Sequence, residues 1–562
     1  MYPFHKNWAP RLGIAYSPKA ESGISKWLFG GPGKTSIRAG AGMYYDLIGQ
    51  PLAQQFSSTT PGLSQSFSNP ANLLNSAQVP RYTSFYTVPT ALVPPPPPGG
   101  LPLVYPYGAG QSGAFAITNS IDQQLAAPYT MNLDFTIGRE FGHGFFVQAS
   151  YVGRLSRHSL VQRDLAMPTN LVDPKSGQTY FQAMTNLMSS IDLHGASIAT
   201  VPQQPFFNNL WSKAAVNGLT PTQVWANDYI NNSNVGDATN TLNNADNGAN
   251  CNAAGTTTLN SKGAVTQIGC SNLGPFAIFN PQFSALEADS SIGIGDYHSM
   301  QWTIRKRYSY GLQFDLNYTW SKSIDLGSAQ EAAGTYTGFI QNTWNPSQMR
   351  AVSTYDTTQQ VNLYGVYELP VGRGRMFGSH MNKIADAIVG GWSVTGNFRE
   401  TSGLPQTVGN GSRWPTDWNE SANATPIGPV PVSITGNATS ANGVDKNGGP
   451  NLFSNPAAIV TAAGEPAGQY GLFEETFAGQ SGLRNNIRGP GLFNIDSGLY
   501  KTFSMPYRES HKLQLRWESF NLTNSVRFSG ASLTDNSSTT FGRFTSTLTQ
   551  PRQMQFAMRY TF

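Results

Sequence analysis

The sequence predicts an all-β fold, a transmembrane antiparallel β-barrel with long external loops, on three observations. Apolar and polar side chains alternate strictly in many ten-residue runs, charge is scarce while aromatics are abundant, and the connections between runs alternate between short and long. Two-residue alternation on a strand places one set of side chains on each face. In Leu312 to Ser321, the set Leu312, Phe314, Leu316, Tyr318 and Trp320 alternates with Gln313, Asp315, Asn317, Thr319 and Ser321. The same pattern recurs in Met131 to Ile137, Met300 to Arg305, Trp392 to Arg399 and Leu513 to Glu518.

Composition points the same way. Charged residues make up 12% of the 562 residues, about half of the roughly 25% usual in soluble domains. Aromatics also reach 12%, and glycine supplies 58 residues. A lipid-facing belt replaces surface charge with apolar and aromatic side chains. No window of about 18 consecutive apolar residues occurs, and the mean hydropathy is −0.31. A spanning segment must satisfy its own backbone, so with helices excluded by hydropathy only a closed sheet remains. The net charge of +4 comes from scattered Lys and Arg, which gives no basic face for nucleic acid.

Taken in order, the runs predict about eleven strands, near 10–17, 35–45, 129–139, 144–154, 297–307, 311–323, 358–368, 390–400, 493–503, 511–521 and 552–562. Ten residues at about 3.3 Å, tilted by about 40°, cover roughly 25 Å, the height of a barrel's apolar belt. The short connections lie around Pro18–Lys34, Glu140–His143, Tyr308–Tyr310, Pro370–Val389 and Ser504–Ser510. Long loops rich in Asn, Ser, Thr, Gly and Pro are expected at 46–128, 155–296, 324–357, 401–492 and 522–551, within one barrel domain over 1–562. Short turns at one end and long loops at the other is the asymmetry of outer-membrane barrels, whose long loops face outward. Pro94 to Pro98 predict a stiff polyproline II spacer in the first long loop. Bacterial single-chain barrels have even strand counts, and eleven is half of the 22 strands of the plugged transporters, so the chain reads as the C-terminal half of such a barrel. The beginning, MYPFHKNWAPRLG, has no apolar core of a signal peptide.

Candidate chemistry is sparse. Cys251 and Cys270, the two cysteines, sit in one polar stretch and are expected to form a loop disulfide in an oxidising compartment. Gly30 to Thr35 ends like a phosphate-binding loop, but Leu28 stands where its first glycine belongs. Asp246, Asn247 and Gly248 hint at a calcium loop whose spacing and terminal Glu are missing. His143, His158 and His194 are dispersed and show no metal-ligand spacing, and no GxSxG places a nucleophile. No enzyme, cofactor or metal site is therefore expected. Asp134, Gln148, Arg305, Asp315, Arg399, Asp496, Arg516 and Glu518 are expected to face the lumen, where they line a wet channel, dock a plug or pair with one another. Tyr151, Trp302, Trp320, Trp392, Trp517 and Tyr560 read as interface-belt anchors. Loop aromatics such as Tyr105, Tyr107, Trp211 and Trp225 are the ones placed to bind a solute.

The final segment PRQMQFAMRYTF, with Phe556, Tyr560 and terminal Phe562, resembles the C-terminal insertion signal of outer-membrane barrels, which implies the barrel-insertion machinery as a partner. The phrases NWAPRLGIAYSP, KTSIRAGAGMYYD, FFVQASYVGRLSRH, YELPVGRGR, GGWSVTGNFRETSGLP, NNIRGPGLFNIDSGLYKTF and LQLRWESFNLTN resemble the barrel of Oar-like TonB-dependent transporters over essentially all the strands. The resemblance implies location in the bacterial outer membrane, contact with its lipid, and passage of a large solute such as an oligosaccharide, peptide or metal chelate. It also implies coupling to the TonB complex through a plug that this stretch of sequence does not contain. The alternative expectation is a surface adhesion or structural protein that uses the barrel as an anchor.

Overall fold

The computed structural model describes residues 7–46, 116–231, 237–328, 339–411, 413–417, 421–430, 450–453, 469–470, 472–505, 508, 510–534 and 540–562. Eleven strands form one antiparallel meander in chain order. They are β1 Arg11–Tyr16, β2 Thr35–Tyr45, β3 Tyr129–Glu140, β4 Phe145–Asp164, β5 Phe283–Ser309, β6 Leu312–Asp325, β7 Gln359–Glu368, β8 Trp392–Thr401, β9 Leu492–Ser504, β10 Lys512–Phe520 and β11 Gln553–Thr561. Every predicted strand is present. Among the described residues no ladder joins β1 to β11, and both edge strands are exposed along their whole length.

The pairing register explains why the alternation was so regular. Val147, Ile304, Leu316, Leu363, Phe398 and Ile495 stand opposite one another across β4 to β9 in an apolar row. One residue along each strand, Gln148, Thr303, Asn317, Asn362, Arg399 and Asn494 form the matching polar row. A one-residue slip in any strand would throw its whole apolar set onto the polar face, so the pattern itself fixes the register. The apolar face is left uncovered by protein: Phe135, Trp302, Trp320, Leu515, Phe556 and Met558 are all exposed. A contiguous apolar surface of this extent marks a membrane-facing belt.

Two strands run well past their predicted ends. The predicted 144–154 extends to Asp164, and the predicted 297–307 begins at Phe283. Their pairing shifts register between Arg157 and Ser159 and again before Val161, with His158 at a φ of 57°. Such bulges bend a strand at the rim of a sheet, so here the pair leaves the belt and enters the loop layer. A short strand Ala116–Ile121 joins it in parallel to β5.

The expected loop 155–296 is largely folded. Among the described residues the α-helices are α1 Gly23–Phe29, α2 Tyr180–Asp192, α3 Pro205–Leu210, α4 Pro221–Asn231, α5 Ala238–Asp246 and α6 Lys383–Val389. α2 to α5 pack around a core that includes Tyr180, Met184, Leu187, Phe206, Phe207, Trp211, Trp225 and Tyr229. No helix among the described residues is long and apolar enough to cross a membrane. Pro94 to Pro98, Tyr105 and Tyr107 lie outside the described residues.

Candidate functional site

All eight residues expected to face the lumen lie on the same face of the sheet, the one opposite the exposed apolar belt. Arg305, Asp315, Tyr364, Asn397 and Asp496 share one cross-strand row. Arg305 pairs with Asp315 at 2.7 Å, and the Tyr364 hydroxyl donates to the same carboxylate at 2.9 Å. Asp496 accepts from the Asn494 side chain at 2.9 Å and the Asn521 amide at 2.8 Å. Glu518 accepts from the Tyr500 hydroxyl at 2.8 Å and from Gln555 of the last strand. Arg516 donates to Gln514 and lies over the Tyr500 ring. Gln148 donates to Ser150 at 3.2 Å, and Asp134 lies over Gly40, where only the missing Cβ leaves room for its carboxylate. Arg305–Asp315 is the one ion pair of this set among the described residues. The face is thus a ladder of mixed charges, one ion pair and several groups held by neutral hydrogen-bond partners.

The described parts of the long connections, at one end of the sheet, are tied to one another and to the strand ends in a cap. Asp296 holds both Arg157 and Arg350 at 2.8 Å, and Asp122 holds Arg163 at 2.7 Å. Arg484 pairs with Asp325 and Arg488 with Asp356, so the segment before β9 is fastened to the ends of β6 and β7. A second core of Val408, Leu452, Phe453, Phe473, Phe541 and Phe544 joins the loop after β8 to the loop after β10. Phe477 and Ala478 reach into the helical core, and Thr239 of α5 donates to the Trp414 carbonyl. Cys251 and Cys270 form a disulfide that closes the polar stretch after α5. Beneath this layer, a cavity of about 410 Å³ opens on the polar face between Arg154, Ser156, Asp296, Tyr297, Gln301 and Tyr355. Sequence reading missed it because Arg154 and Tyr297 meet only through the register of β4 and β5.

Several sequence expectations change at this layer. Trp211 and Trp225, read as aromatics open to a solute, are fully buried in the helical core. They stack edge to face at 5.1 Å, and Trp225 lies on Phe207 at 4.3 Å. Asp246 is a structural tie: it accepts the Ala277, Ile278 and Phe279 amides at 3.0, 2.8 and 2.7 Å and so clamps the chain returning to β5. Gly30 ends α1 in the left-handed conformation, at a φ of 82°, the turn role that glycine takes at helix ends. His143, His158 and His194 stay apart, and among the described residues no group of three His, Cys, Asp or Glu is arranged to hold a metal.

The cap buries carboxyls. Burial pushes Asp164 up to about 6, against the opposing Leu286 and Ala166 amides, and pushes Asp289 up to about 7 with Glu287 adding repulsion. Burial likewise raises Asp192 and Asp237 to about 6. All four lie beyond the roughly ten residues per strand that the belt requires. Burial acts on Asp296 too, but the hydrogen bonds from Arg157 and Arg350 outweigh it and hold its carboxyl below the usual range. A carboxyl raised in the folded state destabilises that state when ionised, and the penalty disappears as pH falls through the folded value toward the unfolded one near about 4. Asp296 remains ionised throughout that window. The cap is therefore expected to resist limited proteolysis severalfold better at about pH 5.5 than at about pH 7.5. Equal or faster cleavage at the lower pH would contradict this.

An antiparallel meander with one apolar exposed face, one charged face and a loop cap at a single end defines an outer-membrane barrel protein. The chain belongs to the family described as outer membrane beta barrel domain, which matches residues 1–555, and the protein is located in the bacterial outer membrane. No curated protein matches it. Solved structures similar to it include the outer membrane transporter YddB from Escherichia coli, at 7% identity and a TM-score of 0.33 over 94% of this chain and 38% of that one. The siderophore receptor PiuA from Acinetobacter baumannii matches at 7% identity and a TM-score of 0.33 over 98% of this chain and 35% of that one. The pyoverdine outer membrane receptor FpvA from Pseudomonas aeruginosa matches at 9% and 0.31 over 99% and 36%. The chain spans little more than a third of the length of these proteins.

Proposed function

We propose that the chain is the C-terminal part of the barrel of an Oar-like TonB-dependent transporter that passes a large solute, an oligosaccharide, peptide or metal chelate. The observation that carries this reading is the eleven-strand meander whose two edges find no strand partner among the described residues, with a charged face. Unpaired strand edges are not tolerated in lipid, so further strands must close the sheet. A barrel holding these eleven and their complement reaches the size class whose lumen takes a plug. The lumen-facing ladder of Arg305, Asp315, Asp496, Arg516 and Glu518 is then the wall against which the plug docks. The cavity around Arg154 and Tyr297 is a solute-contact surface beneath the external loops. Energy for passage comes from the TonB complex acting on that plug, and the chain itself performs no catalysis.

The test is the sequence of the DNA and transcript upstream of Met1. An in-frame plug followed by about eleven further strands is expected, from the strand count of the plugged class. A transcript starting at Met1 would overturn the transporter reading and favour a surface protein anchored through assembly with a partner chain.

A further inference from the structure

The short-turn end of the sheet carries two helices that the strand pattern does not require, α1 between β1 and β2 and α6 between β7 and β8. Both are seven residues long. Both carry apolar residues at i, i+3 and i+4: Ile24, Trp27 and Leu28 in α1, and Ile384, Ala387 and Ile388 in α6. In a soluble protein such a stripe faces the core. Here neither helix has a buried residue, and Ile24, Trp27, Ile384 and Ile388 are 84%, 77%, 77% and 64% exposed.

How the helices are fastened shows which side of the sheet they occupy. Arg139 belongs to the apolar face, opposite Val147, and donates to the Leu28 and Trp27 carbonyls at 2.6 and 3.1 Å. Lys501 also belongs to the apolar face, opposite Trp392 and Leu515, and donates to the Gly390 and Ile388 carbonyls. Trp392 adds a bond to the Ile388 carbonyl at 2.9 Å. Each helix thus ends on a cation from the belt side, which satisfies its last carbonyls and the negative end of its dipole. The two cations lie over aromatic rings, Arg139 on Phe141 and Lys501 on Trp392 and Phe503. This is how long basic side chains leave a hydrocarbon belt for its rim. Below α6, a groove of about 500 Å³ runs between Ile388, Trp392, Phe503, Trp517 and Phe556 and continues into the belt.

We propose that α1 and α6 are interfacial helices that lie in the periplasmic leaflet, their apolar stripes among the phospholipid acyl chains, and that the groove below α6 seats one such chain. The argument for lipid is continuity: the stripes and the groove extend an apolar face that is already the membrane face of an outer-membrane barrel. Short turns sit on the periplasmic side, and exposed Lys19, Lys26, Arg373 and Lys383 at the same rim suit anionic headgroups. Interfacial helices of this kind bury their apolar side about 5–10 Å into the headgroup and acyl boundary.

The experiment places an environment-sensitive fluorophore on Ile24→Cys or Ile384→Cys in the full chain, in phosphatidylethanolamine and phosphatidylglycerol vesicles brominated near the headgroup end of the acyl chains. Leu316→Cys serves as the belt control and Ser261→Cys, in the loop layer, as the water control. Loss of emission at 24 and 384 comparable to that at 316, with 261 unchanged, is expected. Unchanged emission at 24 and 384 while 316 is quenched overturns the proposal. The same labelled variants in outer membranes isolated from producing cells give an independent reading. There, emission at 24 and 384 must be shifted to the blue like that at 316, and emission matching 261 overturns the proposal however the chain behaves in vesicles. Neither outcome depends on transport, so failure here leaves the transporter reading standing, and the converse also holds.

Discussion

Leu316→Arg is expected to cost about 2 to 4 kcal/mol of stability in the membrane, because an arginine near the midplane of a barrel's lipid face must be carried into hydrocarbon. Leu316 sits in mid-row between Ile304 and Leu363, with Val147 and Phe398 beyond them. Neither neighbour of Leu316 in that row offers an acceptor for the guanidinium. Asp315→Asn, one residue away on the opposite face, is expected to cost less than about 1 kcal/mol, since Arg305 is 54% exposed in that pair and exposed pairs contribute little. An asparagine also keeps an oxygen to accept from Tyr364. The two variants differ by one position in sequence and by the whole thickness of the sheet in environment. Urea titration of the chain in bilayers, or the amount of folded protein recovered from the outer membrane, separates them. Equal losses would mean that the assignment of faces is inverted or that the sheet is not in lipid.

The strands were legible because each carries its own evidence. In Leu312 to Ser321 every second side chain is apolar, and the observed pairs Ile304 with Leu316 and Thr303 with Asn317 follow directly from that periodicity. The eight charged or polar positions on the opposite face were legible for the same reason, since period two places them without knowledge of the neighbours. Their partners were not, because Arg305 meets Asp315 only through a turn and Glu518 meets Gln555 only through the register of β10 and β11. The helical unit after β4 was hidden by composition. α5 reads ATNTLNNAD, with asparagine and threonine that alone favour turns. Yet a signal was present: Thr179 and Gln182 form a capping box ahead of Tyr180, Met184, Leu187, Met188 and Ile191. That is a helix start followed by an apolar stripe at helical spacing. The length of a connection, long against short, says nothing of whether it is folded; the periodicity within it does.

The helical unit supplies the other large effect. Trp225→Ala is expected to destabilise it by about 3 to 5 kcal/mol, the usual cost of emptying a buried tryptophan site. Trp225 is fully buried, stacked on Phe207 and edge-on to Trp211, with Tyr180 behind it. Its indole N–H has no acceptor among the described residues, so packing alone holds it. Trp211, by contrast, also donates to the Ala245 carbonyl at 3.1 Å and so ties α5 to the same core. Loss of Trp225 should therefore loosen α2 to α4 while the strands stay in place. Faster limited proteolysis within 165–282, with the meander fragment still protected, is the expected pattern. If the unit instead kept its protease resistance and only solute binding declined, Trp225 would be a contact residue. The core described above would then not be what holds the external layer over the polar face.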